Sequence, residues 1–291
     1  MLNDLKREFF DNANVLTRLI VINVLVFFAM HILDTFFLLF QVSGVFETID
    51  SFLAFPSNWK NFIFQPWSII TYNLVHAGIF HIFFNMLILY WFGKMLIDLM
   101  GDKRLLPIFF TGGVFGAGLY MLAYNFFPLF NQAVLASDLR GASAGVFAVV
   151  FAMITMSPDR KIQLFFVGAV QLKVIGLLLL GMNLIDTVSS NAGGAFAHLG
   201  GALFGYLYVK QLRVGRDLGQ WYNYIWSIFV RSTNRSKMKV VYKQTKTTTA
   251  KKTYTYDENK VNQILDKISK SGYSSLTDAE KDYLMKASKD K

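Results

Sequence analysis

Six apolar runs constrain this chain more than anything else in it; they fall at about 17–40, 81–97, 105–127, 143–156, 174–188 and 196–209. Several approach or exceed the roughly 18–20 residues that cross a bilayer core of about 30 Å. Backbone polar groups find no water there, so each run must satisfy its own hydrogen bonds, which a helix does. Composition agrees: 54% of residues are hydrophobic and 16% charged, with 29 phenylalanines, where a soluble domain carries about 25% charged residues. The reading is all-α: a polytopic membrane protein with a six-transmembrane-helix bundle.

The breaks between runs carry the next layer of information. His31 and Asp34 interrupt the first run, which is expected to leave the bilayer near Asp34. Residues 41–80 form a long connection punctuated by Gly44, Pro56, Asn58, Pro66 and Gly78 and rich in Phe and Trp. That composition suits the membrane interface. Gly112, Gly113, Gly116 and Gly118 give the third run a smooth face. Ser157, Pro158 and Asp159 stop the fourth run. Residues 162–170 read as a short β-like or re-entrant connection, and 189–195 as a glycine-rich loop.

Lys6, Arg7, Arg18, Lys94, Lys103, Arg104, Arg160, Lys161, Lys173 and a basic tail fall on one side of the bundle, against Lys60 and Arg140 on the other. Cytoplasmic segments carry that excess. Both termini are therefore expected in the cytoplasm, and the second, fourth and sixth runs are expected to begin on the outer side.

The charge divides sharply along the chain. Residues 1–209 hold 11 basic and 11 acidic side chains, while 210–291 hold 18 and 8, the whole of the net +10. A basic tail can signal nucleic acid; directly after the last span it reads instead as an anchor beside anionic lipid. The expected organisation is a cytosolic segment 1–16, a membrane domain 17–210, a basic disordered linker 211–259 and a small helical module 260–291. In that module Val261, Ile264, Leu265 and Ile268 keep helical spacing, and Thr277 with Glu280 forms a capping-box pattern. No small-residue cleavage site follows the first run, which reads as a retained span. Cysteine is absent, which excludes a disulfide, a thiolate nucleophile or a Cys-bound metal.

Three segments deliver polar groups to the outer depth. Ser143 stands among small residues in Gly141-Ala142-Ser143-Ala144-Gly145. Alone it reads as a packing residue bonded one turn back. His198 opens the sixth run, where Gly201 and Gly205 form a small-xxx-small pair that permits close helix approach. Gly141, Gly145, Ala148 and Ala152 offer a matching stripe on the fourth. Packing these stripes together would bring Ser143 within reach of the base a serine hydroxyl needs. His81 and Asn85, four residues apart, share one helix face. With the Ser143 N–H they could cradle an oxyanion. His76 lies on a different face and is expected to structure the loop.

Other chemistries fit poorly. A zinc protease needs histidines at i, i+4 with an adjacent glutamate; here His76 and His81 are five apart, and no glutamate lies between Glu47 and Glu258. Asp98, Asp102 and Asp159 sit at cytoplasmic ends rather than in facing spans. Asp186 could orient His198 as a third member, although a carboxylate reaching the outer interface is the simpler reading. A transporter would show an internal repeat, and none is present.

These residues resemble the rhomboid intramembrane serine proteases over about residues 15–210. The family's Gly-x-Ser-Gly is similar to Gly141-Ala142-Ser143-Ala144, its His-x-x-x-Asn to His81 and Asn85, and its Ala-His-x-x-Gly-x-x-x-Gly to Ala197, His198, Gly201 and Gly205. The resemblance implies a Ser143–His198 dyad, an oxyanion hole from His81, Asn85 and the Ser143 amide, and supporting roles for Gly141, His76, Phe147 and Gly201. It implies no cofactor or metal. The expected function is hydrolysis of peptide bonds in or near transmembrane segments of other membrane proteins, from a bacterial inner membrane with the site facing outward. The expected partners are those substrates and the lipid bilayer, with no nucleic acid. The alternative is a catalytically silent relative that binds or escorts transmembrane helices.

Three positions depart from the family's pattern. Ala144 follows the serine where Gly is usual. Phe147 stands where Tyr often stacks on the histidine. The usual Trp-Arg of the first loop is Trp67-Ser68, which leaves the arginine's bracing role to another residue.

Overall fold

A computed structural model describes residues 14–164, 167–189, 191–222, 224 and 257–289. The chain divides into two compact units, Met1–Arg235 and Ser236–Lys291. In the first, each apolar run is a helix. In chain order these are α1 (Val15–Leu39), then the short α2 (Val45–Leu53), α3 (Trp59–Phe64) and α4 (Ser68–Thr71), then α5 (Ile79–Met100), α6 (Leu105–Phe126), α7 (Ser143–Met156), α8 (Leu172–Asp186) and α9 (Ala192–Arg213). The fold is a polytopic helical membrane fold.

At the centre stands α7, with every residue from Ala144 to Ile154 buried except Phe147. A helix apolar on all sides belongs inside a bundle. Against it pack α6 and α9 through glycine. A Cβ on Gly201 would overlap the Ala144 carbonyl, and one on Gly205 the Ala148 carbonyl. One on Gly116 would lie 2.5 Å from the Ala144 Cβ and 2.7 Å from the Ala197 carbonyl. The surface of α7 that meets α9 is thus Ala144, Ala148 and Ala152. Gly145 instead faces α6, where a Cβ would stand 2.7 Å from the Phe109 carbonyl, so the expected stripe is corrected by one helical position.

Two small antiparallel pairs tie the loops. β1 (Phe55–Pro56) joins β2 (Asp138–Leu139) in the register Phe55↔Leu139, linking the 41–78 segment to the chain just before α7. β3 (Lys161–Leu164) and β4 (Gly168–Gln171) make the hairpin between α7 and α8. In the 41–78 segment Phe52, Trp59, Ile63, Phe64 and Trp67 are exposed.

Some boundaries differ from expectation. α1 runs through Asp34 to Leu39, its exit from helix coming at the Phe40 cap. The expected loop at 189–195 is already helical from Ala192, and Gly193 lies against Tyr120, where a Cβ would come within 2.8 Å. Beyond the expected domain edge, α9 continues to Arg213. There Asp217 is held by Arg104 (3.2 Å), the Tyr208 hydroxyl (2.6 Å) and the Gly219 N–H (2.9 Å). Of the expected linker 211–259, the ends are helical at 211–213 and 258–259, while residues 223 and 225–256, like the segment 1–13, lie outside the described residues.

The second unit holds α10 (Glu258–Ser271) and α11 (Asp278–Lys289). Ile264 and Leu276 are its buried apolar residues. The capping box forms: the Thr277 N–H donates to Glu280 Oε2 at 2.8 Å, and the Glu280 N–H donates to Thr277 Oγ1 at 3.4 Å.

Candidate active site

α7 opens on Ser143 itself. Two residues earlier Gly141 has φ of 120°, a conformation glycine adopts without steric penalty. A Cβ there would also stand 2.6 Å from the His81 ring. Two bonds clamp this turn from the 41–78 segment. The Gly141 N–H donates to the Tyr72 carbonyl at 2.9 Å, and the Ala142 N–H donates to His76 Nε2 at 3.3 Å. Tyr72 is fully buried, and its hydroxyl donates to the Gly113 carbonyl on α6 at 2.7 Å. Burial, with His81 beside it, holds the His76 pKa down at about 4. At neutral pH the ring is uncharged: Nδ1–H donates to the Leu74 carbonyl at 3.3 Å and Nε2 is free to accept.

The 14 residues of α7 rise roughly 21 Å, less than a bilayer core of about 30 Å. The chain at 138–142 reaches Ser143 as non-helical backbone. Such backbone is tolerated at depth only against protein or a water-filled cavity. The cavity has a volume of about 640 Å³ and is lined by Ser143, His198, His81, Asn85 and Phe147, with Asp138 and Arg140 also on its wall.

On α5, Asn85 lies one turn below His81. Its Nδ2 donates to the His81 carbonyl at 2.9 Å, and an amide has a second hydrogen to offer. On α9 the His198 ring is held at two places. One face stacks on Phe147, centroids 4.3 Å apart and planes 5° from parallel. Its Nδ1 lies 2.7 Å from Asn183 Oδ1 on α8. A hydroxyl, an imidazole and N–H donors around one cavity are the parts an acyl transfer requires.

All eight sequence-selected positions fall at or beside this cavity. Ser143, His198, His81, Asn85 and Phe147 line it; Gly141 and His76 shape the turn into α7; Gly201 sets the approach of α9. Asp186 is exposed and takes no part, and its neighbour Asn183 meets His198 instead. Asn183 was legible only as a polar residue inside an apolar run. Arg140 does the bracing that Trp67-Ser68 leaves open: its Nε donates to Asp50 on α2 at 2.7 Å, joining the two loops. Trp67 Nε1 donates to the Phe52 carbonyl at 2.9 Å. Among the described residues no cluster of three or more His, Cys, Asp or Glu gathers to hold a metal.

Comparison with known proteins follows the same lines. A Rhomboid domain model matches residues 64–213, and a family of unknown function (DUF6576) matches 251–290. The RHOMBOID-like protein 12, mitochondrial, of Arabidopsis thaliana is 26% identical over 189 residues, covering 62% of this chain and 56% of its own length. The presenilin-associated rhomboid-like protein A, mitochondrial, of Danio rerio is 31% identical over 142 residues, 46% of this chain and 34% of its own. The rhomboid protease GluP of Bacillus subtilis (strain 168) is 27% identical over 183 residues, 62% and 32%. The chain thus spans about half or less of these relatives' lengths. With a domain match over more than half of its residues, this chain belongs to the rhomboid family.

Proposed function

We propose that the chain is an intramembrane serine endopeptidase that hydrolyses peptide bonds in or near transmembrane segments of other membrane proteins. One observation carries the reading: Ser143 and His198, with His81 and Asn85, line a single cavity at the buried start of α7. In this mechanism a substrate helix unwinds locally and presents an extended carbonyl. The His198 ring takes the Ser143 hydroxyl proton as Oγ bonds to the carbonyl carbon. His81, the second Asn85 amide hydrogen and the Ser143 N–H stabilise the oxyanion. The imidazolium then protonates the leaving amine as the C–N bond breaks, and water attacks the acyl-enzyme by the same route. Helix-breaking residues in the substrate aid cleavage, because unpaired backbone groups are costly in lipid.

Both termini lie in the cytoplasm in this reading and the cavity opens outward, by the distribution of basic residues. Because the chain has no cysteine, single cysteines test the sidedness. An impermeant maleimide is expected to label Asn131→Cys from the outside and Lys103→Cys only after permeabilisation.

The activity is tested with a fluorophosphonate probe on purified wild type, Ser143→Ala and His198→Ala, alongside cleavage of a transmembrane substrate in liposomes. Labelling and cleavage in wild type alone are expected. A folded wild type that neither labels nor cleaves would favour a helix-binding, non-catalytic role, and cleavage surviving Ser143→Ala would remove the mechanism.

A further inference from the structure

We infer that Asn183 is a positioning residue that converts the Ser143–His198 pair into a three-membered relay, holding His198 in the tautomer whose Nε2 is free to accept. The inference rests on the hydrolytic reading above and names a residue that reading does not need.

The orientation of the Asn183 amide is not a free choice. Its Nδ2 donates to the Leu179 carbonyl at 2.8 Å, and a carbonyl can only accept. The oxygen must then be the atom that faces His198, and an oxygen 2.7 Å from Nδ1 requires Nδ1 to carry the hydrogen. With that hydrogen placed, the Nε2 lone pair is what remains for the Ser143 proton. Phe147 fixes the plane of the ring from α7, and Asn183 fixes its rotation within that plane from α8. Two helices therefore hold a base carried by a third.

The surroundings of Asn183 also require a partner. Its neighbours Met182, Leu184 and Ile185 are 63%, 67% and 74% exposed on a lipid-facing helix, while Asn183 is 6% exposed. A polar side chain turned inward there is costly unless its bonds are made. A neutral amide differs from the aspartate of a soluble triad. It orders the ring and supplies no counter-charge to the imidazolium at Nδ1. The titratable and charged groups that line the cavity with His198 are His81 from α5, Tyr120 and Tyr124 from α6, and Asp138 and Arg140 before α7.

The test uses full-length protein in detergent or liposomes: wild type, Asn183→Leu and Asn183→Asp. Selective ¹⁵N labelling is expected to report the Nδ1–H tautomer of His198 in wild type and a tautomer mixture in Asn183→Leu. Fluorophosphonate acylation and kcat should fall at least about 10-fold in Asn183→Leu, as expected for losing a bond to a buried group. KM for the transmembrane substrate should stay within about two-fold. Asn183→Asp restores the acceptor and adds a charge, so it should recover acylation and move the acid limb of its pH profile to higher pH.

A folded Asn183→Leu that acylates at the wild-type rate would overturn the inference, as would an Nε2–H tautomer in wild type. If Asn183→Leu does not fold, Asn183→Asp decides: a shifted limb supports the role and an unshifted one overturns it. A wild type holding the Nδ1–H tautomer yet never acylating brings down the hydrolytic reading, and the role of the bond with it.

Discussion

The imidazole of His198 lies parallel to the ring of Phe147, 4.3 Å away and one turn along α7 from Ser143. Ser143 and the ring on which His198 stacks thus ride on the same helix, and the imidazole is positioned against that helix. Aromatic stacking of this kind contributes about 0.5–1.5 kcal/mol beyond area burial. Phe147→Ala should therefore slow fluorophosphonate acylation roughly 2- to 10-fold, while Phe147→Tyr, which keeps the ring, should stay near wild type. Equal rates in Phe147→Ala and wild type would show that the stack does not hold the base.

The contact of Gly201 with the Ala144 carbonyl sets how closely α9 approaches α7. Gly201→Ala inserts a methyl where backbone already stands, an overpacking that costs about 1–3 kcal/mol. A lower unfolding temperature in detergent should accompany weaker probe labelling, since the same displacement carries His198 away from Ser143. Gly181→Ala, inside α8 with nothing within 4 Å of the added Cβ, is the control and should leave stability unchanged or raise it by up to about 1 kcal/mol.

In the second unit the Glu280 carboxyl accepts from the Thr277 backbone N–H, the Lys267 ammonium and the Thr277 hydroxyl, and these hold its pKa at about 2. A carboxyl depressed on folding gives stability that is complete above its ordinary value near 4.5 and is lost as pH falls through the folded value. The α10–α11 pair should therefore loosen between about pH 4.5 and pH 2, and Glu280→Gln should be flat across that window. Titration of the carboxyl by ¹³C NMR in the full chain checks the premise; a midpoint near 4.5 would remove it.

Much of this was legible in the residues. Hydropathy placed the spans because lipid leaves a chain few options, and the small residues flanking Ser143 and His198 announced close helix approach. The part Asn183 takes beside His198 was not legible, for a physical reason. Asn23, Asn85, Asn125 and Asn183 each donate Nδ2 to the carbonyl four residues back, Asn23 and Asn85 at 2.9 Å and Asn125 and Asn183 at 2.8 Å. Locally they are equivalent. What separates them is where the oxygen points, and that is decided by a different helix. Among the described residues the Asn23 oxygen has no partner, whereas the Asn183 oxygen has His198. Likewise Gly145 and Ala144 differ by one position in sequence and by 100° around α7, so pattern alone did not say which of them meets α9.

The unequal lengths of the helices make a demand on the surrounding membrane. α1 has 25 residues and α8 only 15, roughly 37 Å against 22 Å of rise. Lipid adjusts to such mismatch by thinning or thickening locally, at fractions of a kcal/mol per Å. By that physics a bilayer matched to α1 would have to thin by roughly 15 Å to match α8, so the flank of α8 is where this fold asks most of the lipid.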